Sequence, residues 1–428
     1  MALDIAIKPG MFQDLTVELT RPGNDNFYHD ISDIVAEINL YEKLNFGLIS
    51  GNALIADENN VLDMVAMTGD EQIKMSLIVD DEETNILCDV TSIDNRKASG
   101  QQGKETWMIN FQSFMVRASV LNTVNHAFND ILPEAIVENI INDHSPVPAD
   151  YDSHTSNNIL SCVIPNWPLM KAIQWVATHT TTEGNNKQAD FLYYETFGGY
   201  LPISNFKSLS QLLSADPYIH LTKPLEPPRT LVDKIKTIEL FEHDPTSVNA
   251  VQNQAAGMYA STLHHFDFRT KTLSTEEFNH KDNWVEKDHA NPHIPYADTP
   301  ADFDEVPKTE KYNSNIKLIA AASNNFKVAQ ERNWDTKTTR QGRNALLADM
   351  KNNKVKIIIP GNMNMHVGMT IMVTIPSTSV GRIESSDNGV DENASGKYLI
   401  TTLRHSFAGE TVKTIIGCIK DGSTSKII

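Results

Sequence analysis

Short segments in which apolar and polar residues alternate dominate the first 118 positions. In residues 14–20, Leu15, Val17 and Leu19 share one face, and the segment ends at Pro22-Gly23. Similar patterns predict two strands within 44–55 around a Ser50-Gly51-Asn52 turn, and further strands at 72–79, 86–93 and 107–116. Asn95 to Gly103 is a polar connection. Many short strands with closely spaced turns predict a β-barrel or sandwich.

The pattern changes to helical spacing near Ala118. Apolar residues at 120, 121, 124, 128, 131 and 132 predict a helix. Pro133 opens a second helix, and a third begins after Pro168. A hairpin is predicted around Gly198-Gly199, between strands at 191–197 and 200–203. Residues 118–225 therefore predict a compact α+β domain.

The prolines at 224, 227 and 228 mark the next boundary. Beyond it we predict a helix at 250–256, a strand from His264 to Phe268, an irregular acidic connection at 281–311 and a sparse helix within 324–352. Four clear strands close the chain, at 354–359, 369–375, 398–407 and 411–419. The predicted fold is mainly β with an α+β insertion. Its domains are a first β-barrel (1–117), the insertion (118–225) and a second β-barrel (226–428) with helical and irregular acidic excursions at about 240–352.

Charge limits the partners of the protein. Its 428 residues include 36 Lys and Arg against 55 Asp and Glu, a formal charge of −19, and basic residues form no dense stripe. Sequence-independent DNA binding needs such a stripe, so it is not expected. No apolar stretch is long enough for a membrane-spanning helix, and the first residues lack the pattern of a secretory signal.

Residue types that support catalysis do not assemble into a known pattern. Three widely spaced cysteines, Cys88, Cys162 and Cys418, predict reduced thiols rather than disulfides or a CxxC zinc site. His264 and His265 would point to opposite faces of a strand, so a metal site shared with Asp267, His289 and His293 is not predicted. A nucleophile elbow and phosphate-binding glycine loops are missing. Carboxylates such as Glu71, Glu82, Glu83 and Asp89 could be imagined as a glycosidase pair, but acidic turns are expected in an acidic protein. We predict no catalytic residue, no cofactor and no metal.

The order of short motifs in the chain resembles a known family. Near the C-terminus the motifs are Gly361-Asn362, Val367-Gly368-Met369, Pro376, Ser395-Gly-Lys-Tyr-Leu-Ile400, Arg404-His-Ser-Phe407 and Lys420-Asp421. This order resembles the C-terminal barrel of baseplate hub proteins of contractile-tail bacteriophages, a family related to the hub segment of type VI secretion spikes and to late-control tail proteins. Residues 42–57 and 67–71 resemble the first barrel of that family, and residues 132–143 and 165–175 resemble its inserted domain.

The resemblance implies a structural protein rather than an enzyme. Family members form a homotrimer whose subunits each carry two β-barrels similar to those of the tail tube, which gives a pseudo-hexameric ring. The ring joins the tail tube, or a tube-initiator ring, above it to a separate central spike trimer below it, contacts other baseplate proteins and encloses the DNA channel. The implied location is the virion, after assembly in the host cytoplasm. Alternatives are a tail-associated cell-wall hydrolase, a glycan-binding tail module, and a tube or sheath-initiator subunit, although the insertion disfavours the last.

A channel through which DNA moves should not bind the DNA tightly, and each Lys or Arg that pairs with a phosphate adds affinity for DNA. The net charge therefore predicts a channel wall that is neutral to acidic, through which DNA passes without specific binding. Candidate channel-facing residues are Asp80, Asp81, Glu82, Glu83, Asp302, Asp304 and Glu305. The alternative is that the negative charge serves solubility on the outer surface.

Overall fold

The computed structural model describes residues 12, 14–24, 27–58, 61–65, 67–79, 82–98, 104–147, 149–182, 189–224, 227–228, 230–243, 249–267, 271–284, 288–294, 315–320, 336–350, 354–377 and 389–424. Strands predominate among them. The prediction of a mainly β protein with an α+β insertion is confirmed.

The described strands, numbered in chain order, are β1 (Asp14–Thr20), β2 (Tyr28–Asp30), β3 (Val35–Lys43), β4 (Ser50–Asp57), β5 (Gln72–Val79), β6 (Glu82–Ala98), β7 (Glu105–Gln112), β8 (Thr123–Ile131), β9 (Asp150–Ser153), β10 (Leu160–Pro168), β11 (Phe191–Thr196), β12 (Ile203–Ser208), β13 (Ile219–Thr222), β14 (Leu240–His243), β15 (Ala260–Asp267), β16 (Thr272–Asn279), β17 (Asn315–Ala320), β18 (Lys354–Pro360), β19 (Thr370–Thr374), β20 (Gly396–Ala408) and β21 (Thr411–Ile419). The α-helices are α1 (Val61–Met64), α2 (Phe114–Leu121), α3 (Pro133–His144), α4 (Leu169–Thr178), α5 (Leu209–Ser214), α6 (Leu231–Ile235), α7 (Ala250–Ala256), α8 (His280–Trp284) and α9 (Thr336–Asp349).

One large sheet joins the two ends of the chain. Its main path runs β14-β18-β21-β20-β3-β4-β7-β6-β5-β1-β2, with β19 and β13 added beside β20. The N-terminal and C-terminal strands meet where β20 pairs antiparallel with β3, from Thr402 opposite Lys43 to Ala408 opposite Glu37. Backbone hydrogen bonds therefore hold the two β regions edge to edge.

The inserted segment has its own core. A three-stranded sheet, β11-β12-β9, and the pair β10-β8 accompany helices α3 and α4. Ile136, Ile140 and Ile173 are fully buried there with Phe191 and Phe206. The predicted helices at Pro133 and Leu169 and the hairpin at 191–208 are confirmed, although the second hairpin strand begins at Ile203 rather than Tyr200.

The predicted helix over 120–132 is wrong. The helix α2 ends at Leu121, and Thr123–Ile131 is strand β8, paired with β10. Ser113 starts the helix earlier, since its Oγ accepts the Met115 N–H at 3.1 Å. Val124 and Phe128 are buried in the strand, and a spacing of four residues fits one face of a strand as well as a helix. The periodicity alone could not separate the two.

Two predicted turns in the N-terminal region are also wrong. Ser50, Gly51 and Asn52 lie inside β4, paired with both β3 and β7. Gly51 is required there by packing, because a Cβ atom at this position would overlap the Phe111 ring. Strand β6 continues through Ala98, so residues 95–98 of the predicted connection are strand, whereas 99–103 lie outside the described residues. The strand predicted at 107–116 ends at Gln112.

The second half follows the predictions more closely. The four closing strands occur as β18 to β21, and the helix at 250–256 ends at Gly257, whose φ of +77° suits glycine. The strand from His264 starts at Ala260, and α9 occupies the described part of the predicted helix at 324–352. Most of the acidic connection at 281–311 lies outside the described residues, apart from the end of α8 and residues 288–294.

Candidate functional site

Three parts of the chain meet at the carboxylate of Glu42. This β3 side chain is buried, and its Oε1 accepts the backbone N–H of Phe197 at 2.7 Å and lies 3.0 Å from His366 Nδ1. Its Oε2 accepts the backbone N–H of Val367 at 2.9 Å. One carboxylate thus joins the N-terminal β region, the insertion and the C-terminal β region.

A second buried carboxylate lies nearby on β11. Glu195 accepts the backbone N–H of Ile49 at 3.0 Å through Oε2 and the Ser113 hydroxyl at 2.9 Å through Oε1. Burial raises the pKa of Glu195 to about 7, although these two hydrogen bonds act in the opposite direction. The backbone contributes as well, because Glu195 N–H donates to the Gly47 carbonyl at 2.9 Å.

Close packing completes this junction between the insertion and the two β regions. The hydroxyl of Tyr194 occupies the space that a Cβ atom would need at Gly368, and Gly368 has a φ of +88°. Any other residue in place of Gly368 would therefore collide with Tyr194 and strain the backbone. Leu44 and Tyr194 pack into the same apolar core as Val367, so the junction is apolar around its two carboxylates.

An open groove of about 940 Å³ lies beside this junction, where β3 pairs with β20. Strands β3, β18, β20 and β21 supply most of its lining. Its basic residues are Lys43, Lys354, Lys356 and Arg404. Lys356 pairs with Glu242 at 3.6 Å, and Arg404 pairs with Glu37 at 3.2 Å. Lys43 and Lys354 have no ion-pair partner among the residues that the structure describes. Glu42 and Glu242 also line the groove, so its four basic residues leave an excess of positive charge over two carboxylates.

The predicted channel-facing residues fall mostly outside the described residues. This applies to Asp80, Asp81, Asp302, Asp304 and Glu305, and to the side chain of Glu82. Glu83 is described and exposed at the start of β6. Hydrogen bonds from Asn85 at 3.1 Å and Ser76 at 2.9 Å lower the pKa of Glu83. Its carboxylate is therefore ionised at neutral pH.

The histidines weighed for metal binding are separated in the structure. Nδ1 of His264 lies 3.0 Å from the Thr275 hydroxyl, whereas His265 is buried on the opposite side of β15. His289 Nδ1 lies 3.1 Å from Asp421 Oδ2. Within the described ranges, no three His, Cys, Asp or Glu side chains converge as metal ligands would. The three cysteines form no disulfide with one another, and burial raises the pKa of Cys88 and of Cys418.

Sequence reasoning missed the two junction carboxylates. Glu195 carried a signal, since it is a single acid in the otherwise apolar and aromatic segment from Phe191 to Phe197. An acid in such a segment is either exposed or held by hydrogen bonds. Glu42 gives a weaker signal in the sequence, because it lies between Tyr41 and Lys43 in an ordinary strand pattern.

Comparisons with solved structures identify the class of fold. A tail protein from Neisseria meningitidis MC58 matches with a TM-score of 0.56 and 8% identity, over 96% of this chain and 98% of the other. The 43 kDa tail protein of prophage MuSo2 from Shewanella oneidensis matches with a TM-score of 0.53 and 9% identity, over 97% and 100%. The chain therefore has the fold of these phage-type tail proteins.

Sequence comparison adds a particular relative. No protein-family model matches the chain. The chain is 20% identical over 409 residues to the "Probable baseplate hub protein" of Vibrio phage KVP40, which covers 94% of this chain and 93% of the relative. The resemblance to contractile-tail phage baseplate hub proteins is confirmed by these matches. None of the described helices is both long and apolar enough to cross a membrane.

Proposed function

We propose that this protein is a structural baseplate hub subunit of a contractile phage tail, located in the virion and assembled in the host cytoplasm. Three copies form a ring that joins the tail tube, or a tube-initiator ring, to a separate central spike trimer, and other baseplate proteins contact its outside. The observation that carries this proposal is the pairing of β3 with β20. It places two β regions side by side in one rigid sheet.

Two β regions in each subunit allow a three-fold ring to match a six-fold tail tube. A three-fold assembly whose subunits each present two similar β regions offers six positions to a six-fold tube. The pseudo-hexameric match requires the two β regions to keep a fixed angle. The backbone ladder at β3 and β20, the Glu42 carboxylate and the Glu195 carboxylate all resist movement at this joint. The domain limits proposed from the sequence, 1–117, 118–225 and 226–428, place one β region on each side of the insertion.

The ring encloses a channel for DNA whose wall is neutral to acidic. Support comes from the net charge of −19 and from Glu83, which is exposed and ionised. Screening over about 8–10 Å at physiological salt confines the repulsion to DNA close to the wall. The positively charged groove at β3 and β20 accordingly faces a protein neighbour rather than the channel.

The mass of the purified protein tests the assembly. One chain weighs 47.8 kDa, so a trimer weighs about three times that. Light scattering after size-exclusion chromatography should give the trimer mass, alone or on addition of the spike and tube proteins of the same phage. Electron microscopy of the co-expressed proteins should then show this subunit as a ring between tube and spike. A monomer in both conditions, or a ring without this subunit, contradicts the proposal.

An assay of cell-wall cleavage separates this proposal from the hydrolase alternative. The hub proposal expects purified peptidoglycan to remain intact after incubation with the protein. Cleavage that disappears with a single Asp or Glu substitution would instead establish a hydrolase.

A further inference from the structure

A cleft of about 380 Å³ lies between the insertion and α9, and it shares Phe46 with the lining of the groove at β3 and β20. The end of α4 contributes Gln174, Thr178 and His179, and α9 contributes Arg340, Arg343 and Asn344. Asn45 and Phe46 close the cleft from the segment between β3 and β4. The charged residues among the described lining are both arginines, and no carboxylate lines the cleft there.

Hydrogen bonds hold the side chain of Arg343 in place but use only some of its N–H donors. Only 8% of its surface is exposed, and its Nη1 donates to the carbonyls of Ala189 at 2.9 Å and Phe191 at 3.1 Å. A guanidinium has five N–H donors, and the structure assigns no partner to Nε or Nη2 of Arg343 among the described residues. Burial lowers the pKa of Arg343 to about 10, so the group stays charged at neutral pH.

Asp190 acts on the charge of Arg343 electrostatically, but no ion pair joins the two side chains. Asp190 is buried, and its oxygens accept the Ser210 N–H at 2.8 Å and the hydroxyls of Thr182, Ser208 and Ser210. No ion pair joins Arg343 or Arg340 to an acid in the described part of the chain. Arg340 and Arg343 lie three positions apart on one face of α9, and both line the cleft, so two guanidinium charges meet at one small space.

His179 lines the same cleft as the two arginines. Burial lowers the pKa of His179 against the hydrogen bond with the Trp175 carbonyl, and the charges of Arg343 and Arg340 lower it further. Its ring stacks on Trp175 with centroids 4.2 Å apart, which fixes its position at the end of α4. Both guanidinium groups are thus close enough to act on the same ring.

The C-terminal end of α4 compensates only part of the positive charge of Arg340 and Arg343. A helix C-terminus carries about half a negative charge, which attracts one cation. Two full positive charges exceed this partial charge even when the negative charge of Asp190, which acts on Arg343, is added to it. A group that presents oxygens to both guanidiniums would satisfy the unused donors in the bidentate geometry that arginine favours.

We propose that this cleft binds an oxyanion group, a phosphate or a carboxylate, through Arg340 and Arg343, with the amides of Asn45, Gln174 and Asn344 as further donors. The volume exceeds that of a single water molecule, about 30 Å³, by an order of magnitude. A phosphate ester fits as a free ligand, and so does an acidic side chain supplied by a neighbouring protein. The shared chemistry is an anionic oxygen pair. This inference does not depend on the proposed hub function.

Calorimetric titration of the full-length protein tests the site, with inorganic phosphate and acetylated pentaglutamate as probes at constant ionic strength. We expect saturable binding of at least one probe. Arg340→Gln should weaken it at least tenfold, because one of the two charges is lost while the exposed position leaves the core intact. Arg96→Gln is the matched control, since it removes an exposed arginine from a distant ion pair with Glu105 and should leave the affinity unchanged.

The two probes distinguish the sources of the oxyanion. Binding of phosphate alone assigns a free phosphate ligand, and binding of pentaglutamate alone assigns an acidic segment of a neighbour. Arg343→Lys supplies a second variant that keeps the charge and loses the bidentate geometry, and it should also weaken binding. Absence of saturable binding of both probes, or equal affinity in wild type and Arg340→Gln, overturns the proposal.

Discussion

The carboxylate of Glu195 accepts the backbone N–H of Ile49 at 3.0 Å, although 146 positions separate the two residues in the chain. Ile49 lies just before β4, and Glu195 lies in the insertion, so this bond fixes the insertion against the N-terminal β region. Both residues are buried. A carboxylate in such a place ties the stability of the joint to its protonation state.

We predict that Glu195→Gln removes a pH dependence from the stability of the protein. The pKa of Glu195 is raised from 4.5 to about 7 in the folded protein, so folding favours the protonated form. The stabilisation from that proton is complete below about pH 4.5 and is lost as pH rises to about 7. Glutamine is neutral throughout. Between pH 4.5 and 7, the free energy of unfolding of the wild type should therefore fall by up to about 3 kcal/mol relative to that of the variant.

Urea unfolding at several pH values between 4.5 and 8 measures this difference. Glu83→Gln is the control, because Glu83 is exposed and has a lowered pKa, so its effect on stability changes with pH only near and below the unfolded pKa of 4.5 and is flat above it. Parallel stability curves for wild type and Glu195→Gln would refute the assignment of this slope to Glu195.

A second prediction concerns the glycine inside β4. Gly51→Ala should destabilise the protein by about 1–3 kcal/mol, because the added methyl group overlaps the Phe111 ring in a packed core. Gly199→Ala is the matched control. The nearest atom to a Cβ there is the Leu201 carbonyl oxygen at 3.9 Å, an ordinary contact. Thermal unfolding of both variants tests the packing, and an equal effect would show that Phe111 moves aside without cost.

This glycine also shows where sequence reasoning stops. Ser50-Gly51-Asn52 has the composition of a turn, and only the position of Phe111, sixty residues later in the chain, makes glycine necessary in a strand. The elements that were predicted correctly, such as α3 at Pro133 and β18 to β21, carry local signals of a first-turn proline or strict alternation. Glu42 and Arg343 acquire their roles from partners distant in sequence, which one sequence does not reveal.

A third prediction concerns the buried ion pair of Arg21 and Glu71. Glu71 is fully buried, 2.5 Å from Arg21 Nη2, and also accepts the N–H groups of Thr68 and Gly69. Burial would raise the pKa of Glu71, but these hydrogen bonds outweigh it and lower the pKa to about 2. The stabilisation is present above about pH 4.5 and is lost as pH falls towards 2.

Glu71→Gln should therefore lower the free energy of unfolding by about 3 kcal/mol at pH 7, because it removes the charge of a fully buried carboxylate that pairs with Arg21 and accepts the N–H groups of Thr68 and Gly69. Glu58→Gln is the matched control, since Glu58 pairs with Lys104 at 2.6 Å but is 62% exposed, and exposed pairs contribute about 0–1 kcal/mol. Chemical denaturation at pH 7 measures both. A larger loss for Glu58→Gln would mean that burial does not set the strength of these pairs.

The last prediction separates the positively charged groove from the DNA channel. If the groove faced the channel, Lys43, Lys354, Lys356 and Arg404 of each subunit would contact phosphates, and the affinity for duplex DNA would fall steeply with salt. We instead expect binding weaker than micromolar at about 50 mM salt. Lys354→Glu, which reverses one unpaired charge on the groove, should leave that weak binding unchanged but weaken assembly with the neighbouring baseplate proteins. Fluorescence anisotropy with labelled duplex DNA and pull-down of the neighbours measure the two effects. Submicromolar DNA binding that Lys354→Glu abolishes would contradict this expectation and place the groove on the channel wall. The substitution can weaken DNA binding only if the groove contacts the DNA phosphates.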